Sequence, residues 1–477
     1  MRNNGWACFI GVTSCVIAGC ADVRPTAPSS ADVYAPKSAV SQNANSVAQI
    51  NGLIRSLFPP QQQGQWMAAF AAVKDAVATG DAAAAQPLIS AFVTSLLQAF
   101  PGSQPPTTAA SLSQLVGMVA SFGGTTAGIT PEHAVLAVGS VHACILQANG
   151  EGECWGSSEY TGSGAPTAGV IQARVSVTGG VGFTSLVSNG TYTCARTTGA
   201  ADLCWGRRPL LQPTRDLAPI SLGNGPYLQV SPGRLVACAL TPSNNAVCWG
   251  INQLGEVGDG TQIARASPVP VATALAFQTI EAAWIHSCAL TFAGEAHCWG
   301  SWQGQLSFRQ DVTPVAVPGG HTFTRFYTGG THTCGVTPSS ETWCWGDNAA
   351  GQLGSGVAGG WTGDPVRVAG GHSFAMIAIG TTTNNSGRSF SCGIDFGGKA
   401  WCWGQNDKGQ LGDATTTDRL EPTPIISSEV FVAIDAGDRF ACAMTIDRRV
   451  FCWGTNTGGE LGTGVAGGFT MVPVQVP

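Results

Sequence analysis

The stretch from Cys288 to Gly300, CALTFAGEAHCWG, places two cysteines ten residues apart and follows the second with Trp-Gly. If Cys288 lies opposite Cys298 in an antiparallel hairpin, Leu290 pairs with Ala296 and a loop of three residues remains. That loop ends in Gly294, and glycine is the residue that most easily adopts the left-handed conformation such loops need. The spacing therefore predicts a β-hairpin with a tight turn.

The same cysteine spacing occurs seven times in the chain. Opposed residues of such a hairpin have α-carbons about 4.5–5.5 Å apart, within the range that a disulfide tolerates. Zinc clusters usually contain CxxC spacings, and the sequence has none. We therefore predict seven hairpin disulfides and no metal site. The pairs are Cys144 with Cys154, Cys194 with Cys204, Cys238 with Cys248, Cys288 with Cys298, Cys334 with Cys344, Cys392 with Cys402, and Cys442 with Cys452.

The Trp after each second cysteine marks a long repeat, because successive copies lie 44 to 58 residues apart. The fullest copy contains four short apolar runs, at 268–271, 277–280, 286–290 and 297–300. Repeats of 40 to 50 residues with strand-like content are typical of β-propellers, whose blades have four strands. Each Trp faces away from its neighbouring cysteine, so we expect it to pack between blades.

The loops that follow CWG contain a second motif. It is DNAAGQLGSG at 347–356, QNDKGQLGDA at 405–414 and TNTGGELGTG at 455–464, with a weaker form, INQLGEVGDG, at 251–260. Together with the glycine-bearing hairpins, WGxNxxGQLG resembles the regulator of chromosome condensation repeat, and exported bacterial members of that family carry a similar CAL...CWG variant. The resemblance implies a mainly β fold, a seven-bladed β-propeller. The loops of repeats one, two and four depart from the motif.

We place the propeller at residues 131–477, with one disulfide per blade. The first repeat has no PVPV-like strand of its own, whereas the chain ends in such a run, Met471 to Pro477. We therefore expect the C-terminal strand to close the ring by pairing onto the blade that contains Cys144 and Cys154.

The N-terminal residues have the pattern of an exported lipoprotein. Residues 1–20 combine Arg2 with a short apolar core and end in IAGC, which resembles the bacterial lipobox, in which Cys20 becomes lipidated. The alternative is ordinary secretion with a free Cys20. Because Ala21, and not Asp, follows Cys20, we expect a protein lipid-anchored to the cell envelope at the outer membrane or cell surface rather than at the inner membrane.

Two further segments precede the propeller. Residues 21–44 are rich in Pro, Ala and Ser, which predicts a flexible tether. In 45–124 apolar residues recur at helical spacing, as in Trp66, Phe70 and Val73, so we predict a small helical region.

Composition and motifs exclude several classes of function. The net charge is −6 and only 10% of residues are charged, which argues against a nucleic-acid surface. The sequence lacks the GxSxG, HExxH and phosphate-loop motifs, so it indicates no catalytic residue and no small-molecule cofactor. We interpret His142, His286 and His332 as packing residues, and the Asp and Asn of the post-CWG loops as turn residues rather than cation ligands.

These features favour a non-enzymatic, membrane-anchored binding protein whose propeller loops contact a protein of unknown identity or a surface polymer. Two alternatives are an architectural envelope component and a propeller enzyme with acid and His side chains in its central channel. Aromatic and Arg side chains dominate interface energetics, so the irregular loops supply the candidate contacts. These candidates are Tyr160, Arg207, Arg208, Trp302, Phe308 and Trp361.

Overall fold

The computed structural model describes residues 54–78, 92, 95, 99, 135–147, 149–164, 169–179, 182–207, 215–223, 225–302, 310–381, 389–445 and 447–477. The predicted signal segment with Cys20, the tether 21–44 and most of the helical region 45–124 lie outside these residues.

The described chain forms seven antiparallel sheets of four strands each, which we call blades 1 to 7 in chain order. Within a blade, strands a, b, c and d follow one another in sequence and in space. Blade 1 comprises β1 (Leu136–Val138), β2 (His142–Leu146), β3 (Gly152–Ser157) and β4 (Val170–Ser176); blade 2 β5 (Phe183–Asn189), β6 (Tyr192–Thr197), β7 (Asp202–Arg207) and β8 (Arg215–Ser221); blade 3 β9 (Gln229–Pro232), β10 (Val236–Leu240), β11 (Ala246–Gly250) and β12 (Arg265–Pro270); blade 4 β13 (Phe277–Ala282), β14 (His286–Thr291), β15 (Ala296–Gly300) and β16 (Asp311–Ala316). Blade 5 comprises β17 (Arg325–Thr328), β18 (His332–Val336), β19 (Thr342–Asp347) and β20 (Trp361–Arg367); blade 6 β21 (Phe374–Ile379), β22 (Phe390–Asp395), β23 (Ala400–Gly404) and β24 (Arg419–Pro424); blade 7 β25 (Phe431–Ala436), β26 (Phe440–Thr445), β27 (Val450–Thr455) and β28 (Phe469–Val476).

The blades form a closed ring. Each strand a contacts strand a of the next blade, and β25 of blade 7 contacts β1 of blade 1. The seven strands a therefore surround a central axis, and strands b, c and d lie progressively further out. This arrangement confirms the predicted seven-bladed propeller.

The hairpin between strands b and c has the predicted register. Cys288 lies opposite Cys298 and Leu290 opposite Ala296, and the amide of Gly294 donates to the carbonyl of Thr291 at 2.9 Å. The third loop residue is left-handed in all seven blades, whether it is glycine or another residue. These residues are Gly150, Ala200, Asn244, Gly294, Ser340, Gly398 and Arg448.

All seven predicted disulfides are present, with α-carbons 4.0–4.1 Å apart. Counting back from the hydrogen bond between Thr291 and Glu295, each cysteine pair occupies a non-hydrogen-bonded position, where opposed residues approach most closely. Each bond therefore joins two strands of one blade.

The Trp after each second cysteine is buried, with at most 5% of its surface exposed. Trp299, for example, packs with Val236 and Phe277 of blades 3 and 4. The predicted position between blades is confirmed.

The predicted ring closure by the C-terminal strand is wrong. Strand β28 pairs with β27 of its own blade, where Val474 lies opposite Cys452. Blade 1 is completed by β4, where Val175 lies opposite Cys154. Residues 170–176 form this strand without the PVPV pattern, because an edge strand needs backbone pairing and alternate side chains rather than prolines. Each blade is thus one contiguous segment.

Helix α1 (Pro60–Ala78) begins at a proline, which is suited to a first helical turn because its missing amide is not needed there. Trp66, Phe70 and Val73 line its buried face, and Phe92 packs edge-on against Trp66. The helical spacing predicted for this segment is confirmed. Among the described helices, none has the length and apolar character needed to cross a membrane.

Candidate functional site

The connections between strands form two faces of the propeller. Because the strands are antiparallel, the ab loops (joining strands a and b) and the cd loops (joining c and d) lie at the same end of every blade. We call this end the loop face. The cd loops contain the repeated GQLG motif, and the irregular loops singled out in the sequence belong to them.

A regular cd loop attaches its blade to the next one. In blade 6, the carbonyl of Gln410 accepts a hydrogen bond from the indole nitrogen of Trp453 in blade 7 at 2.9 Å. Leu411 is fully buried, and a Cβ at Gly412 would lie 3.0 Å from the Trp453 ring. Each residue of the motif therefore has a role. The Gln410 carbonyl accepts from the indole, Leu411 anchors the loop in the core, and position 412 is glycine because the Trp453 ring lies against its backbone. We call this contact the latch.

The latch loop stabilises itself through an asparagine. The Asn406 carbonyl oxygen accepts from the amide of Leu411 at 3.0 Å, and its side-chain amide donates to the carbonyl of Thr415 at 3.1 Å. Asp413 accepts from its own loop, from Thr415 at 2.7 Å and from Arg419 at 2.7 Å. The interpretation of these Asp and Asn residues as turn residues is confirmed.

Among the cd loops that the structure describes, those of four blades carry the latch, and it closes the ring. The indole nitrogens of Trp299, Trp403, Trp453 and Trp155 donate to the carbonyls of Glu256, Gln352, Gln410 and Glu460, respectively. The last pair joins blade 7 to blade 1. Within the described chain, by contrast, the buried indole nitrogens of Trp205 and Trp345 have no hydrogen-bond partner. These two lie in blades 2 and 5, which follow the irregular loops of blades 1 and 4.

Two latch positions carry Glu where the others carry Gln. The Glu256 side chain is 1% exposed, and one of its oxygens accepts from the amide of Leu254 at 2.8 Å. Burial raises the pKa of Glu256 to about 7, and raises the pKa of Glu460 as well. A protonated Glu resembles Gln in offering a carbonyl acceptor and a donor, and the acceptor is the part that holds the loop amide in both, as in Gln410 with Lys408.

Two of the predicted contact residues lie close together on the loop face. Tyr160 ends a short 3-10 turn in the cd loop of blade 1 and is half-buried, while Arg207 ends β7 in blade 2 and is exposed. Trp361 lies apart from them at the start of β20 in blade 5, half-buried. Arg208 and Phe308 lie outside the described residues.

The expectation that Trp302 is exposed is wrong. Only 2% of its surface is accessible, and its indole nitrogen donates to the carboxylate of Asp311 at 2.9 Å. It packs with Phe323 and Trp345 in the core between blades 4 and 5. An aromatic residue in an irregular loop is here part of the core, because it packs against Trp345 and its indole nitrogen is satisfied by Asp311.

The structure adds two residues that the sequence analysis did not single out. Arg234, in the ab loop of blade 3, lies within electrostatic range of Tyr160, Arg207 and Asp438. Its guanidinium stacks 4.9 Å from the ring of Trp284, in the ab loop of blade 4. Burial is the main cause that lowers the pKa of Arg234, and repulsion from Arg207 adds to it.

We call Tyr160, Arg207, Arg234 and Trp284 the arc, because they come from the adjacent blades 1, 2, 3 and 4. All four are at least partly exposed. The sequence contained a signal for Arg234 and Trp284. Both occupy the second position after strand a, where other repeats have the smaller residues Ser140, Gly330 or Asp438.

The histidines that precede the cysteines connect blades from within. His142, His286 and His332 are at most 1% exposed, and each forms a hydrogen bond through Nε2 with a hydroxyl of the next blade. For His332 the partner is Ser391 Oγ at 2.7 Å. Burial lowers the pKa of His142 and of His332 to about 3. The interpretation as packing residues is confirmed.

Comparisons with known proteins agree with this architecture. Two models described as the regulator of chromosome condensation (RCC1) repeat match residues 397–444 and 431–460. The mitochondrial RCC1 domain-containing protein RUG3 of Arabidopsis thaliana is 28% identical over 213 residues, 39% of this chain and 47% of that protein. The ultraviolet-B receptor UVR8 of the same plant is 27% identical over 191 residues, 37% of this chain and 43% of the receptor. The chain thus spans less than half the length of these relatives.

Among solved structures, yeast RCC1 (Prp20) bound to Kap60 is similar with a TM-score of 0.58 and 18% sequence identity, over 68% of this chain and 83% of that one. At this identity the likeness concerns the fold. Residues 397–460 therefore match the RCC1 repeat, and the seven blades resemble the RCC1 propeller in fold.

Proposed function

We propose that this protein is a non-enzymatic binding protein whose loop face contacts a protein partner, and that a lipid on Cys20 anchors it to the cell envelope. The observation that carries the first part is the arc. It brings aromatic and Arg side chains from four adjacent blades onto one face, and such residues supply most of the energy at protein interfaces.

Three further observations support a rigid binding disk. Seven disulfides crosslink the hairpins within the blades and four latches join neighbouring blades, so the ab and cd loops are held by a fixed scaffold. Trp205 packs beside the irregular loop of blade 1 that contains Tyr160, and its indole nitrogen has no hydrogen-bond partner within the described residues. Yeast RCC1, which shares the fold, was solved in a complex with a protein, Kap60.

Capture by the immobilised, oxidised full-length protein tests the binding face. The variant Arg207→Ala/Trp284→Ala removes one Arg and one aromatic residue of the arc. A matched control, Arg367→Ala/Phe292→Ala, removes the same residue types from the opposite face, where Phe292 is 63% exposed. We expect envelope or secreted protein retained by the parent and by the control to be lost from the arc variant. Equal retention by both variants, or equal loss, would contradict the assignment of the arc.

Lipidation is tested separately. Cells expressing the parent chain and Cys20→Ala are grown with an alkyne-labelled fatty acid, and the purified proteins are examined for the label. We expect label on the parent chain and none on the variant, which would also leave the membrane fraction. Label on the variant, or no label on the parent chain, would contradict lipidation of Cys20. Neither result would bear on the proposed binding face.

A further inference from the structure

The central axis of the propeller contains a small cavity that the binding face does not explain. Its lining residues come from all seven blades, and nearly all lie in the last three positions of a strand a. These positions precede the ab loops directly. The cavity therefore lies at the loop-face end of the axis, beside the arc.

Two carboxyl groups line this cavity. Glu281 comes from blade 4 and Asp435 from blade 7, three blades apart in a ring of seven, so they approach the axis from different sides. Glu281 accepts from Ser231 Oγ at 3.2 Å. Asp435 accepts from the amides of Val138 at 2.7 Å and Ala436 at 2.8 Å. Burial raises the pKa of Asp435 to about 7, because those amides offset only part of its desolvation.

A second feature of the wall also indicates a ligand. Thr328 lines the cavity, is 9% exposed, and its hydroxyl oxygen is buried without a hydrogen-bond partner in the described chain. Buried polar groups are normally satisfied, so an unpaired hydroxyl beside a cavity is a position at which a ligand can bind. Ser231, whose hydroxyl donates to Glu281, lies in the same wall.

The rest of the wall is apolar. Six of the lining residues are aliphatic, among them Val187, Ile377 and Ile379, and none of the lining residues is Lys, Arg or His. A cavity with carboxylates and hydroxyls set among aliphatic walls matches a cationic head on an aliphatic stem. It is poorly matched to a hard metal ion, which takes six to eight oxygen ligands. In the described part of the chain, no group of three or more His, Cys, Asp or Glu residues could hold a metal.

We propose that the central cavity binds an ammonium or guanidinium group on an aliphatic stem, presented as a Lys or Arg side chain by the partner that contacts the loop face. Glu281 and Asp435 bind the charged head, the hydroxyl oxygen of Thr328 accepts a hydrogen bond from it, and the aliphatic wall covers the stem. This inference rests on the proposed function for the source of the side chain, but the cavity chemistry itself does not require the partner.

Saturation-transfer NMR on the oxidised full-length protein tests the chemistry. The probes are the N-acetyl methylamides of lysine and arginine, with the norleucine derivative as a neutral probe of equal length, and cadaverine as a free amine. We expect transfer to the lysine and arginine probes and none to norleucine. Glu281→Gln keeps an acceptor for Ser231, and we expect it to weaken binding at least tenfold. Glu295→Gln, on an exposed hairpin, is the matched control and should bind like the parent.

The outcomes separate this proposal from the proposed function. Equal transfer to norleucine, unchanged binding by Glu281→Gln, or no transfer at all overturns the cavity site, whatever the capture experiment shows. Displacement of the lysine probe by Ca²⁺ overturns it in favour of a metal. Cadaverine binding tenfold more tightly than the lysine probe overturns the partner as the source and identifies a free amine. If the probes bind as expected while the arc variant still captures its partner, the cavity stands and the arc assignment fails.

Discussion

The buried carboxyl of Glu256 makes the latch of blade 3 sensitive to pH. Its pKa is raised from 4.5 to about 7 by burial. A carboxyl whose pKa is higher in the folded than in the unfolded state stabilises the fold below the unfolded value, and this stability is lost as the pH rises towards the folded value. The loss therefore occurs between about pH 4.5 and 7, and it amounts to about 3 kcal/mol at about 1.4 kcal/mol per pKa unit.

Glu256→Gln should remove this loss, because Gln352 and Gln410 occupy the same position in blades 5 and 6. We expect the variant and the parent to melt at nearly the same temperature at pH 4.5. At pH 8 the variant should melt about 4 °C higher, given the unfolding entropy of a domain of this size. Differential scanning calorimetry of the oxidised proteins across this pH range gives the comparison.

A converse substitution controls for general effects of the exchange. Gln410→Glu introduces the same buried carboxyl into blade 6 and should lower the melting temperature increasingly from pH 4.5 to 8. The reasoning is refuted if the difference between Glu256→Gln and the parent does not change with pH, or if the variant is less stable at pH 8.

Three further predictions concern the ring. Deleting 471–477 should lower the melting temperature by several degrees, because it uncovers the backbone of strand c in blade 7; an unchanged calorimetric melt would contradict the pairing of β28. Trp155→Phe should lower the free energy of unfolding by about 1 kcal/mol more than Trp205→Phe in denaturant titrations, since of the two only Trp155 loses a hydrogen bond. Equal decreases would show that the latch does not contribute to stability. Burial lowers the pKa of His332 from 6.5 to about 3, so stability should fall as the pH drops through this range, and His332→Gln should reduce that slope in acid melts; an unchanged slope would exclude His332 as its source.

The hairpins were predictable from the sequence because their information is local. Cysteines ten residues apart with a glycine or similar residue in the loop determine the register, the turn and the disulfide together. The ring closure was predicted wrongly because the PVPV pattern was treated as a requirement for strand d. An outer strand needs only backbone pairing with strand c, which many sequences can provide. Residues 170–176 meet that need with different residues.

The candidate site was predicted less well, since exposure depends on contacts between blades. Trp302 and Tyr160 both lie in irregular cd loops, yet Trp302 is buried in the core between blades 4 and 5 whereas Tyr160 is partly exposed. Arg234 and Trp284 lie in short ab loops, which carry no repeat motif. The carboxyls Glu281 and Asp435 are more than 150 residues apart in sequence, and only the closed ring brings them to one cavity.

The placement of each disulfide inside one hairpin has a consequence for oxidative folding. A cysteine lies 10 residues from its native partner but at least 34 from any cysteine of another repeat, as from Cys204 to Cys238. Closing the shorter loop costs about 1 kcal/mol less entropy, so the native bond is favoured even before a blade has folded. Each repeat can therefore be oxidised as it emerges, without exchange between repeats. A repeat that is gained or lost during evolution takes its own crosslink with it and leaves no cysteine unpaired.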